Sequence, residues 1–110
     1  LGKHVPPPAG VQPPSLWGVE SHLKTLFGDR AAAIEATPRQ FNFRYRSAAH
    51  FIEVFRTWYG PVHKAFASLP PEGAAALERD LTELLNRLNR AGPASLVVPS
   101  DYLEIVVTRR

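Results

Sequence analysis

The chain has 110 residues, 45% of them hydrophobic and 21% charged, and a formal net charge of +3. That length supports a single domain over residues 1–110 with a small core. The charge falls short of the dense Lys/Arg loading of a dedicated nucleic-acid binder. Cysteine is absent, which excludes disulfides, thiolate metal sites and a cysteine nucleophile. No run of about 20 apolar residues is present to span a membrane. No basic-then-apolar start marks a signal peptide, and a cytoplasmic protein is the expectation. Methionine is absent as well, and Leu1 opens the chain. An interior start, a trimmed tag or a missing leading segment would each account for that.

Residues 1–16 form a proline-rich lead. Pro6, Pro7, Pro8, Pro13 and Pro14 lack amide donors and hold φ near −65°, so the lead is extended or turn-like. Val19, Leu23, Leu26 and Phe27 repeat at helical spacing and predict a helix over 18–27, with Gly28 as its cap. Phe41, Phe43 and Tyr45 alternate with Asn42, Arg44 and Arg46. This period of two predicts an extended segment over 33–46, with Pro38 at an edge or a bulge. A helix over 48–59 follows, capped by Ser47, with Phe51, Ile52, Phe55, Trp58 and Tyr59 on an aromatic face. Gly60 and Pro61 stop it. A short helix spans about 62–69, with Val62, Ala65, Phe66 and Leu69 inward. The longest helix covers 71–90: Pro71 suits its first position, and Leu77, Leu81, Leu84, Leu85 and Leu88 form its apolar stripe. Glu78, Asp80 and Glu83 read as its solvated face. Tyr102 to Thr108 reads as a strand rich in β-branched residues, apolar on both faces beyond Glu104. That suits a buried strand with neighbours on either side. Two strands do not make a stable sheet alone, so the last strand calls for a partner that the chain lacks.

Three runs carry a family resemblance. The closing run from Val97 to Arg110 resembles the end of many bacterial class I S-adenosylmethionine-dependent methyltransferases, which finish on a strand similar to Tyr-Leu-Glu-Val-Val-Ala-Thr-Arg-Arg. The run Phe55-Arg56-Thr57-Trp58-Tyr59-Gly60-Pro61 is similar to that family too. So is Leu16-Trp17-Gly18 followed by Leu26-Phe27-Gly28. The resemblance implies an α/β fold, the C-terminal part of a Rossmann-like methyltransferase, with two antiparallel strands and about four helices. It maps 33–46 onto the sixth strand and 102–108 onto the seventh, which lies antiparallel between the fifth and sixth. The intervening helices would wall a small-molecule substrate pocket. The donor loop of that family belongs to an N-terminal half. In this chain no two of the seven glycines stand two apart, so no G-x-G loop is present. The expectation is therefore a substrate-cap segment with no cofactor of its own, inactive alone. S-adenosylmethionine is expected only for the full-length family. The alternative is a self-associating module in which two copies pair through the exposed last strand and complete the sheet as a homodimer.

Trp17, His50, Trp58 and Tyr59 are the candidate substrate-binding residues, chosen by the resemblance and by aromatic character with polar tips. The other aromatic residues read as core. His4, His22, His50 and His63 show no metal-ligand spacing, and no catalytic residue stands out. Arg39, Arg44, Arg46 and Arg56, interleaved with Phe41, Phe43 and Tyr45, have the look of a stacking-plus-phosphate surface. A half-exposed strand with a charged outer face accounts for the same pattern.

Overall fold

The computed structural model describes all 110 residues, in the order α1 (Glu20–Phe27), β1 (Ala31–Tyr45), α2 (Ala48–Trp58), α3 (Gly60–Ser68), α4 (Pro71–Leu88) and β2 (Leu96–Arg109). Short 3-10 turns at Pro14–Gly18 and Gly28–Arg30 flank α1. The protein is α/β, with four α-helices and one two-stranded sheet. Arg110 N–H donates to Arg30 O, and Gln40 donates to Asp101. One partner number rises as the other falls, so the strands are antiparallel. No helix is long and apolar enough to cross a membrane.

The backbone divides into two compact units. The first comprises Leu1–Pro8 and Asn42–Pro99. Its core is Ala48 and Ile52 from α2, Val62, Ala65 and Phe66 from α3, Leu77 and Leu85 from α4, and Leu96 and Val98 from β2. These positions fall at helical spacing on each helix and two apart on the strand, as burial of a single face requires. Ser47 caps α2, its hydroxyl accepting from His50 N–H at 3.1 Å. Gly60 and Pro61 both end α2 and open α3, because proline suits a first helical turn. The apolar stripe of α4 is narrower than its sequence implies. Leu77 and Leu85 are buried and Leu81 packs against the core, but Leu84 and Leu88 are exposed near the helix's end.

The lead is not detached from this unit. Val5 packs against the core, and both Lys3 and His4 reach Asp80 at 2.7 and 2.9 Å. Asp80 therefore anchors the lead rather than joining a solvated face. The hydrogen bond from Lys3, then that from His4, pulls its carboxyl from 3.8 down to about 2. A carboxyl lowered in this way contributes stability that is complete above its ordinary value and is lost as pH falls through the folded one. Asp80→Asn is expected to be less stable than the parent at pH 6, with the difference shrinking between pH 4 and pH 2. Urea unfolding midpoints across that range check this; a gap of equal size at pH 6 and pH 2 would mean that the pairing does not set it.

The second unit comprises Ala9–Phe41 and Ser100–Arg110. Leu23 of α1 is fully buried, and Ile34, Ala36, Leu103, Ile105 and Val107 are half-buried. Gly28 ends α1 with φ at +50°, a backbone region that side chains avoid, and its N–H closes on Lys24 O. The alternate positions of the strands are open: Phe41 is 55%, Tyr102 51% and Val106 52% exposed. β2 begins at Leu96, six residues before the sequence pattern places it, and runs through Pro99. β1 likewise runs through Pro38. Each strand has one neighbour only, and a proline is tolerated where a strand's outer edge makes no ladder bond.

Candidate functional site

The first unit carries a shallow groove of about 390 Å³, lined by Arg44, Tyr45, Arg46, His50, Ala94 and Ser95. Two features built from sequence-local chemistry shape it. The first is the turn from β1 into α2. Its residues are Arg46 and Ser47, with Arg46 N–H donating to His50 Nδ1 at 3.3 Å. A ring nitrogen that accepts from the backbone carries no proton, so the neutral imidazole of His50 bears its hydrogen on Nε2. The second is the loop after α4. Asn89 donates to Gly92 O and Ser95 O, both at 2.8 Å, and accepts from Ala91 and Val97 N–H, both at 2.9 Å. This single amide holds the Ala94-Ser95 wall in place. Gly92, with φ at +75°, supplies the left-handed step that the loop needs.

A stack of rings lies behind the groove. Phe51 and Phe55 stack at 4.1 Å, and Tyr45 meets Phe51, Phe55 and His50 edge-on at 5.0, 6.2 and 5.5 Å. Phe43 adds edge contacts to Phe51 and Phe55 at 6.0 Å each. Tyr59 joins through Phe55 at 5.3 Å. Pairs of this kind favour edge-to-face or offset arrangements and add to the burial of the rings.

Of the four candidate residues, His50 alone lines the groove. Tyr59, half-exposed, touches the ring stack that backs it. Trp58 stands 83% exposed at the end of α2, and Trp17 lies in the second unit, 57% exposed on a 3-10 turn. Sequence reasoning passes over Asn89 and Ser95 as site residues, and places Tyr45 in the core or on an arginine-flanked stacking strand. The available signal for Asn89 is an asparagine closing a helix ahead of Gly-Pro, a residue type that bonds its own turn.

Of the three rings on the arginine-rich strand, Phe41 is exposed while Phe43 and Tyr45 are half-buried. Phe43 and Tyr45 are committed to the ring stack. Arg39 pairs with Glu104 at 3.1 Å, a hydrogen bond that raises its own pKa. Arg56 lies over the Phe66 ring at 4.6 Å, with Glu78 at 4.0 Å. Arg44 and Arg46 are left at the groove, and no carboxylate lines it.

No group of three His, Cys, Asp or Glu side chains is placed to hold a metal ion. The second unit has a depression of about 610 Å³ lined by Phe27, Arg30, Val107 and Arg109. The chain has no glycine-rich loop of the kind that holds S-adenosylmethionine in a Rossmann-like fold. A donor loop requires glycines between a strand's end and a helix's start, where backbone can approach the ligand. The one strand-to-helix turn here is Arg46-Ser47, without glycine. No protein-family model and no curated protein matches the chain.

Proposed function

We propose that the chain is the C-terminal substrate-cap segment of a class I S-adenosylmethionine-dependent methyltransferase, silent without a donor-binding half. The reading starts from the closing Tyr102-Leu103-Glu104-Ile105-Val106-Val107-Thr108-Arg109-Arg110 run and its companions. One observation carries it further. Beyond Glu104 β2 is apolar on both faces, yet it pairs along one edge only and leaves Val106 half in solvent. Strands with that composition belong in sheets covered on both faces. In the methyltransferase arrangement the last strand lies antiparallel to the sixth and takes the fifth on its other side. The antiparallel pairing of β1 with β2 is compatible with the first of these, and the other edge of β2 has no neighbouring strand. The groove beside His50 would then form part of the acceptor wall, with Arg44 and Arg46 favouring an acceptor that carries negative charge.

Two titrations test this. The chain alone is expected to give no heat with S-adenosylmethionine, and saturable binding would overturn the account of an absent donor site. Mixed with the donor-binding half of a class I methyltransferase that lacks its own last two strands, the chain is expected to form a complex. Donor affinity in that complex should be at least tenfold higher than in the half alone. A mixture no better than the half alone overturns the cap assignment.

A further inference from the structure

The open edge of β2 has a charge pattern of its own. Pro99 brings no N–H to an edge, so continuous pairing starts beyond it. From there the strand carries Asp101 near one end and Arg109 at the other. Glu104 between them is neutralised by Arg39. Asp101 receives only the neutral amide of Gln40, and Arg109 meets no carboxylate. The edge therefore offers two uncompensated charges of opposite sign, separated by apolar and hydroxyl side chains.

The geometry points to a second copy of this chain as the occupant of that edge, its β2 lying antiparallel about a two-fold axis through Ile105. In this register Asp101 stands opposite the partner's Arg109, and Arg109 opposite the partner's Asp101. Leu103 meets the partner's Val107, Tyr102 the partner's Thr108, and Ile105 its own counterpart. Opposite charges and β-branched pairs directly across strands each stabilise a sheet. Moving the axis to Glu104 puts Asp101 opposite Val107, and moving it to Val106 puts Leu103 opposite Arg109. Both leave the charges without partners, so charge selects the register where alternation alone permits several. The product is a four-stranded sheet, in place of a two-stranded one that is marginal by itself. The inference uses the edge that a donor-binding half would take but does not rest on the methyltransferase reading.

Light scattering on the eluted chain is expected to give twice the 12.2 kDa chain mass at micromolar concentration. Asp101→Arg and Arg109→Asp should each weaken the dimer at least tenfold, and the double exchange should restore it. Because the protein has no cysteine, Ile105→Cys places one thiol on the axis, about 5 Å from its counterpart. It should cross-link on oxidation. Leu103→Cys puts the thiols on the order of 13 Å apart and should not cross-link. A monomer at all concentrations overturns the proposal, whether or not that monomer takes up a donor-binding half. A dimer that ignores the charge exchange overturns it equally. So does cross-linking of the Leu103→Cys variant with none in the Ile105→Cys variant.

Discussion

Replacing Asn89 with alanine is expected to lower the unfolding free energy by about 2–3 kcal/mol and the melting temperature by on the order of 10 °C. The amide makes four hydrogen bonds of 2.8–2.9 Å, all to backbone between residues 91 and 97. Each is worth only about 0.5–1.5 kcal/mol net, but deleting the side chain leaves two N–H and two C=O groups to find other partners. Water can reach the exposed part of the loop, so the loss stays below the sum of four full bonds. The bonds from Val97 and to Ser95 sit at the start of β2, where the neighbouring Leu96 is buried in the core. The damage should therefore extend past the loop. Chemical denaturation measures the size, and amide exchange at Val97 and Leu96 locates it. A variant within about 0.5 kcal/mol of the parent (the range of a neutral surface change) would show that the loop holds without its asparagine.

The contrast between Asn89 and the helices shows what local pattern can carry. α1, α2 and α4 are legible because burial of one helical face imposes a spacing of three and four, and Leu23, Ile52, Leu77 and Leu85 obey it. Ser47 is legible as a cap because its hydroxyl bonds an amide three residues away. Asn89 has no spacing rule of that kind: its role depends on where a loop returns. Asp80 misleads for a similar reason. It sits off the apolar stripe of α4, and nothing nearby in sequence says that Lys3 and His4 will come back to it. Leu96 to Pro99 lie outside the strand that the β-branched run marks, and Pro99 is accommodated there because β2 has a free edge, a property of topology rather than of composition.

The candidate site divides along the same line. The ring stack follows from alternation on β1 and helical spacing on α2, so its members can be named from sequence. Which rings face one another cannot. Arg44 and Arg46 flank Tyr45 in a pattern that fits a phosphate-binding strand or a solvated one equally well. The choice turns on whether Phe43 and Tyr45 point outward, and both are engaged with α2. Trp58 draws attention as an aromatic with a polar tip, yet it stands almost wholly in solvent.

That difference within one helix yields the second large effect. Phe55→Ala is expected to destabilise the protein by about 3 kcal/mol, at the lower end of the range for deleting a buried phenyl ring because Phe55 is only half-buried. Its ring touches Phe43, Tyr45, Phe51 and Tyr59, so the loss removes contacts with four aromatic neighbours at once. Trp58→Ala, at 83% exposure, should change stability by no more than about 0.5 kcal/mol. Thermal unfolding of the two variants side by side separates a packing role for the α2 aromatics from a surface one. If Phe55→Ala is tolerated, the stack is loose and its rings are free to line a cavity. If Trp58→Ala is the damaging change, the indole is covered in solution by something the chain alone does not provide, and the end of α2 becomes the place to look for it.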